Sequence, residues 1–250
     1  MSETTQADPR ENFVGRLFMA SLGAFEVMTV YVGGKLGLYQ ALRDDGPATS
    51  AELAARAHIA ERYAQEWLEQ QAAADIITVD DASKPAMERR YTLPSGYAEA
   101  LLDRESPFSI EPLIRFIGPM TAALPSLLNA YRTGGGVSWN AFGTEAIEAQ
   151  GDFNRPWLLS DFGSSYLPSV PDLHARLSDE TNPARVADVA CGVGWAAIAL
   201  AKAYPNISVD GFDLDDYSIQ LARKNAAESG VADRVTFEAR DAADPANAGK

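Results

Sequence analysis

The chain has 250 residues, 46% of them hydrophobic, and a formal net charge of −14. This length allows one sizeable core or two modest ones, and the excess of acid argues against a surface that follows nucleic-acid phosphates or anionic lipid. Cys191 is the only cysteine, so no intrachain disulfide can form. The start is polar and acidic, unlike a signal peptide, and we expect a cytoplasmic protein.

A long amphipathic helix is predicted from Asn12 onward. We expect no membrane span there, because Glu26 interrupts the apolar segment and Gly33 and Gly34 end it. The apolar side chains recur at helical spacing, which indicates a helix that packs in a core or in a dimer. They are Val14, Leu17, Phe18, Leu22, Phe25, Met28 and Val32.

Three shorter helices and two short strands follow, in the order of a winged helix-turn-helix. We predict helices over 36–43, 51–57 and 61–74 and strands over 76–79 and 90–93. The helix that would enter a DNA groove carries Glu61, Glu66 and Glu69 against the single cation of Arg62. Phosphates require the opposite charge, so we predict a role in dimerisation or as a substrate lid rather than in nucleic-acid binding.

The middle of the chain differs in amino-acid composition from the N-terminal part. Prolines divide it into short helices, Gly134–Gly136 form a flexible point, and aromatic residues are frequent around Trp139 and Trp157. We predict a helical connector and pocket lid over 105–180, between an N-terminal domain at 1–104 and a third domain at 181–250. His174, like His58 before it, has no metal-ligand or catalytic partner at useful spacing.

The stretch RVADVACGVGWAAIAL, residues 185–200, is a short apolar strand that breaks into glycines and restarts as a helix. Gly192 and Gly194 allow a tight turn and a close backbone approach to a ligand. The following helix presents free N–H groups to whatever lies over the turn. Such a unit is typical of a cofactor site.

Two aspartates end the following predicted strands. Asp213 lies 19 residues after Gly194, where its carboxylate can accept hydrogen bonds from both hydroxyls of a ribose. Asp215 or Asp216 is expected to cap the next helix. Asp241 follows the third strand, where it could accept a hydrogen bond from an adenine amino group.

The spacing of GVGWAA also fits a fold that binds a dinucleotide, and Asp188 discriminates between a dinucleotide and a cofactor that carries positive charge. A carboxylate four residues before Gly192 would repel a pyrophosphate. It suits a cofactor that carries a sulfonium and an ammonium group, as S-adenosylmethionine does.

The motifs DVACGVG, GFDLDDYSI and RVTFEARDA closely resemble those of class I S-adenosylmethionine-dependent methyltransferases. LGLYQAL, GPATSAELAARA, ERYAQEWLEQQAA and YTLPSGYAEALL resemble the subgroup with an N-terminal winged-helix domain. The resemblance implies an α/β fold in which a Rossmann-like domain follows the winged helix. It also implies a small-molecule methyl acceptor and a homodimer formed through the N-terminal domain.

For the cofactor site, the resemblance implies that the glycine turn surrounds the methionine moiety. Asp213 would bind the ribose, Leu214 would contact the adenine, and Asp241 with Ala242 would lie at the adenine edge. Ala190 departs from the family's usual glycine, and we expect its methyl to be accommodated in extended backbone. The cofactor-binding residues assigned to this turn and to the strand before it are Asp188, Ala190, Cys191, Gly192 and Gly194.

The sequence stops after the third strand of a family sheet that has seven. We therefore expect an N-terminal portion of a longer protein, with one open edge on the first strand. No catalytic residue and no metal site can be assigned. The alternatives are a non-catalytic module that binds S-adenosylmethionine, a winged-helix DNA-binding regulator and, more distantly, an NAD enzyme.

Overall fold

A computed structural model describes residues 8–244 of the chain. The chain forms two compact units, one ending at Asp103 and the other starting at Arg104. The predicted connector 105–180 and the predicted third domain lie in the same unit.

The first unit opens with the long helix α1 (Pro9–Lys35). Asp8 caps it by accepting a hydrogen bond from the Arg10 backbone N–H at 2.9 Å. Only Val30 and Gly33 of this helix are buried, so the predicted apolar stripe is exposed and does not form a core within the described residues.

By length and composition, α1 is the one helix within residues 8–244 that could cross a membrane. Its most apolar stretch has a mean hydropathy of 1.4 and is 6% buried. Core helices of soluble proteins and signal sequences meet the same criterion, so this feature does not identify a membrane protein.

The winged helix-turn-helix follows as predicted. Thr49 and Glu52 form a reciprocal capping box at the start of the second of its helices, and His58 caps the end of that helix in a left-handed conformation. Tyr39 and Tyr91 are buried in the core. The elements are α2 (Leu38–Asp44), α3 (Ser50–Ala57), α4 (Glu61–Ala73), β1 (Thr78–Val79), β2 (Tyr91–Thr92) and α5 (Ser95–Leu102).

The second unit begins with short helices, and Pro112, Pro119 and Pro125 each lie near the start of one of them. Pro156 lies in the last turn of the longest helix of this unit, which continues as a π-helix over Leu158–Tyr166. The helices are α6 (Glu111–Arg115), α7 (Ile117–Ala122), α8 (Leu124–Thr133), α9 (Gly143–Trp157) and α10 (Pro171–Leu177).

A parallel sheet of order β3-β4-β5 completes this unit, with a helix after each of the first two strands. Ile198, Val209 and Phe237 belong to the core between helices and sheet. Within residues 8–244, β3 pairs on one side only, which is the open edge that the sequence predicts. The elements are β3 (Arg185–Val189), α11 (Trp195–Ala203), β4 (Ser208–Asp213), α12 (Asp216–Glu228) and β5 (Val235–Ala239).

Candidate functional site

A cavity of about 870 Å³ lies over the carboxyl ends of β3, β4 and β5. This is where ligands bind in open α/β sheets. Residues 190–194 form the turn after β3, which we call the glycine turn, and the first four of them line the cavity. Eight of the nine residues predicted for a cofactor line it: Asp188, Ala190, Cys191, Gly192, Asp213, Leu214, Asp241 and Ala242.

Gly194 is the predicted residue that does not line the cavity. Its φ of 84° lies in the left-handed region, and a Cβ there would come within 2.6 Å of the Phe237 ring. Glycine is therefore required at this position for turn geometry and for packing between helix and sheet.

Asp188 is the most unusual group in the cavity. Its Oδ2 is buried and has no hydrogen-bond partner among the described residues. Burial raises the pKa of this carboxyl, the Ala197 backbone N–H opposes that rise, and the charge of Asp213 adds to it. A buried carboxylate oxygen without a partner is an energetic cost that a cationic ligand would offset.

Asp213 has a structural task that the sequence does not reveal. Its Oδ2 accepts a hydrogen bond from the Gly192 backbone N–H at 2.8 Å, and its Oδ1 accepts one from the Asp215 N–H at 3.0 Å. Each oxygen keeps a second lone pair for a ligand. Asp215 caps α12, as one of the predicted alternatives, by accepting from the Ser218 N–H at 2.7 Å.

Ala190 has a φ of 59°. The expectation that its backbone stays extended is therefore wrong, because the chain must reverse direction immediately after β3. A left-handed alanine costs about 1–2 kcal/mol relative to its ordinary conformation, since Cβ crowds the following carbonyl.

Cys191 is held by the next strand, because its backbone N–H donates to the Phe212 carbonyl oxygen at 3.0 Å. Burial, together with the charges of Asp188 and Asp213, raises the pKa of its thiol to about 12. The thiol stays protonated at neutral pH and is not a nucleophile.

The far end of the cavity is formed by residues that follow β4 and β5. Leu214 is 73% exposed, and the Asp241 carboxylate accepts a hydrogen bond from the Ala243 N–H at 2.8 Å. Arg240, which the sequence analysis missed, lies over the Phe212 ring at 5.2 Å and pairs with Glu238 at 2.6 Å. Its place directly before Asp241 could have revealed it.

Helix α9 forms a second wall of the cavity, which the sequence analysis also missed. The residues of this second wall lie on one face of α9 and of the π-helix that continues it: Ile147, Gln150, Gly151, Asn154 and Leu158. Their spacing of three or four residues is the signal that could have found them. Trp139, in the aromatic middle segment, also lines the cavity.

Neither His58 nor His174 is among the residues that line the cavity. His174 Nδ1 is 2.9 Å from the Tyr204 hydroxyl oxygen, and the two rings meet edge to face. His174 therefore packs against Tyr204. Among the described residues, no group of three or more His, Cys, Asp or Glu side chains could hold a metal ion.

The winged-helix surface that would face DNA carries cations that are already paired. Arg62 on α4 pairs with Glu66 at 2.5 Å. The three cations of the wing pair with neighbouring carboxylates at 2.6–3.5 Å: Lys84 with Asp80, Arg89 with Glu69 and Arg90 with Glu52.

Two models of known protein families match this chain, one in its N-terminal part and one in its C-terminal part. The Rv2258c-like winged HTH domain matches residues 23–104, and a methyltransferase domain matches residues 186–249. The chain carries a winged-helix domain and a methyltransferase domain. The same architecture recurs in solved structures at low identity, which bears on the fold alone.

The mitomycin 7-O-methyltransferase MmcR is 23% identical, with a TM-score of 0.64, and the match covers 93% of this chain and 67% of that one. PigF, solved with SAH, is 20% identical with a TM-score of 0.63, over 92% of this chain and 66% of that one. The ribosomal protein uL3 glutamine methyltransferase of Bradyrhizobium diazoefficiens is 31% identical over 85 residues, which are 31% of this chain and 27% of that protein. The chain thus spans about two thirds of these solved proteins and about a quarter of this curated relative.

Proposed function

We propose that the chain binds S-adenosylmethionine in the glycine-turn cavity and belongs to an enzyme that transfers its methyl group to a small molecule. The observation that carries the proposal is the buried, unpartnered Oδ2 of Asp188 in a methyltransferase domain. The SAH present in the PigF structure and the small-molecule substrate in the name of MmcR support it.

Each lining group has a task in this proposal. The Asp188 carboxylate attracts the cationic part of the cofactor, the lone pairs of Asp213 accept from the ribose hydroxyls, and Leu214 packs against the adenine. Asp241 and Ala242 contact the edge of the adenine ring in this proposal. When bound, S-adenosylmethionine supplies an electrophilic methyl group, so the contribution of these residues is to bind and orient it.

Titration calorimetry of the 250-residue chain with S-adenosylhomocysteine tests the binding proposal. We expect saturable binding with one site per chain, and stronger binding than that of NADH. Absence of S-adenosylhomocysteine binding by the folded chain would refute the proposal, and a preference for NADH would restore the dinucleotide alternative. Binding without methyl transfer by the full-length protein would favour the non-catalytic module.

The proposed oligomer is a homodimer formed through α1. Five exposed apolar side chains follow one another along α1 at intervals of four, seven, three and four residues: Val14, Phe18, Phe25, Met28 and Val32. Ser21 divides the interval of seven residues into steps of three and four. Residues at alternating spacings of four and three form the line of contact between two paired helices, and we call this line on α1 the seam. A second copy of α1 would cover this seam.

The charge of the winged helix supports a role other than DNA binding. Three acidic side chains on α4 and the paired cations of the wing leave little positive potential for phosphates. We expect no salt-dependent shift of a DNA duplex in a gel. Cytoplasmic localisation remains part of the proposal, and recovery of the protein in a carbonate-washed membrane pellet would contradict it.

A further inference from the structure

The charges that line the glycine-turn cavity are unevenly distributed. Asp188, Asp213, Asp215 and Asp241 contribute four carboxylates, and Arg240 is the cation among the described lining residues. Arg240 already pairs with Glu238. An amino-acid ligand has a carboxylate as well as an ammonium group, and these acidic residues would repel that carboxylate.

The second wall offers hydrogen-bond donors without negative charge. Gln150 and Asn154 lie one helical turn apart, both side chains are exposed, and both line the cavity. Neither amide group makes a side-chain hydrogen bond to another described residue. An amide NH₂ donates two hydrogen bonds, so the pair can satisfy a carboxylate that the rest of the cavity disfavours.

Helix α9 is held against the glycine turn, which fixes where these amides lie. The Tyr217 hydroxyl donates to Glu148 Oε1 at 2.5 Å, and the Arg155 guanidinium stacks on the Trp195 ring at 4.5 Å. Between these contacts, a Cβ on Gly151 would come within 2.2 Å of Val193. Positions 148, 151 and 155 thus dock the helix, while 150 and 154 face the cavity.

We propose that Gln150 and Asn154 bind the carboxylate at the amino-acid end of the cofactor, whereas the Asp188 carboxylate attracts the ammonium group at that end. This inference rests on the proposed function, because it assumes that the cavity takes S-adenosylmethionine. It assigns the two ends of the amino-acid moiety to different walls: the ammonium to the strand side and the carboxylate to α9.

The test compares two ligands that differ in the amino-acid moiety. S-adenosylhomocysteine has it, whereas 5′-methylthioadenosine lacks it and keeps the adenine, ribose and sulfur. We expect Asn154→Leu to weaken S-adenosylhomocysteine binding about tenfold and Asn154→Asp about a hundredfold, because the aspartate adds repulsion. Both variants should bind 5′-methylthioadenosine within about twofold of the original chain.

Gln150→Glu provides a second variant in case Asn154 substitutions impair folding, and we expect the same selective loss. Asn129→Asp on α8 is the matched control, since it makes the same change of charge at an exposed residue outside the cavity lining. Equal weakening of both ligands, or no weakening of either, would overturn the inference. If the original chain binds neither ligand, the proposed function fails first.

Discussion

Asp213 and Gly192 lie 21 residues apart in the sequence and are joined by a hydrogen bond of 2.8 Å, in which the Asp213 carboxylate accepts from the Gly192 backbone N–H. The residue predicted to read a ribose therefore also holds the turn on which the cofactor would lie. Recognition and loop geometry depend on the same carboxylate. Changes at Asp213 should consequently affect stability and binding together.

Replacement of Asp213 by alanine should lower the free energy of unfolding by about 1–3 kcal/mol, because two backbone N–H groups lose a charged acceptor. S-adenosylhomocysteine affinity should fall at least about tenfold. Asp213→Asn keeps one acceptor oxygen, so its effect should be intermediate. Chemical denaturation and calorimetry measure both quantities. Asp216→Ala, on the exposed first turn of α12, is the control, and an equal loss there would contradict the assignment.

Substitution of Asp188 should weaken ligand binding without lowering stability, whereas substitution of Asp213 should lower both. Burial raises the pKa of its carboxyl in the folded chain. Ionisation therefore lowers the free energy of unfolding as the pH rises from the ordinary aspartate pKa through the raised value, and the loss persists above it. Asp188→Asn cannot ionise and keeps an acceptor for the Ala197 N–H. We expect an equal or higher melting temperature at pH 7.

The same substitution should weaken S-adenosylhomocysteine binding at least about tenfold, because the ammonium group loses its counter-charge. Binding by the original chain should weaken as the pH falls through the raised pKa of Asp188, and this dependence should be absent in Asp188→Asn. Calorimetry across a pH series measures it. An unchanged affinity in the variant would remove Asp188 from the site.

Ala190 offers a test of backbone strain. Ala190→Gly should stabilise the chain by about 0.5–1 kcal/mol, since the relief of a left-handed alanine exceeds the added entropy of the unfolded glycine. Ala187→Gly, within β3, is the matched control and should destabilise by about 0.5–1 kcal/mol. Thermal unfolding distinguishes the two. Destabilisation by both variants to the same extent would show that position 190 is not strained.

The exposed seam of α1 predicts a dimer that charge should dissociate. Phe18→Glu combined with Phe25→Glu should halve the mass measured by light scattering, because carboxylates would then face each other across the seam. Phe108→Glu is the control, since Phe108 is also highly exposed but lies outside α1. A monomeric original chain, or a dimer unaffected by the double substitution, would contradict the proposal.

The sequence predicted local features well because they depend on near neighbours. The glycine turn, a cap at Asp215 or Asp216 and the winged-helix order each follow from short-range spacing, and the structure confirms them, with Asp215 as the cap. Ala190 could not be predicted, because the sign of its φ depends on how sharply the chain leaves β3. The exposure of α1 also escaped prediction, since an apolar stripe does not reveal what covers it.

The sequence by itself determined the family resemblance, the parallel strands and the acidic groups of the candidate site, since these are written in residue type and spacing. Tertiary structure decided which groups share the cavity. Only the docking of α9, through contacts such as that of Glu148 with Tyr217 69 residues later, brings Gln150 and Asn154 into the cavity that the glycine turn also lines. Contacts between distant segments depend on the packing of whole elements, and no local pattern encodes them.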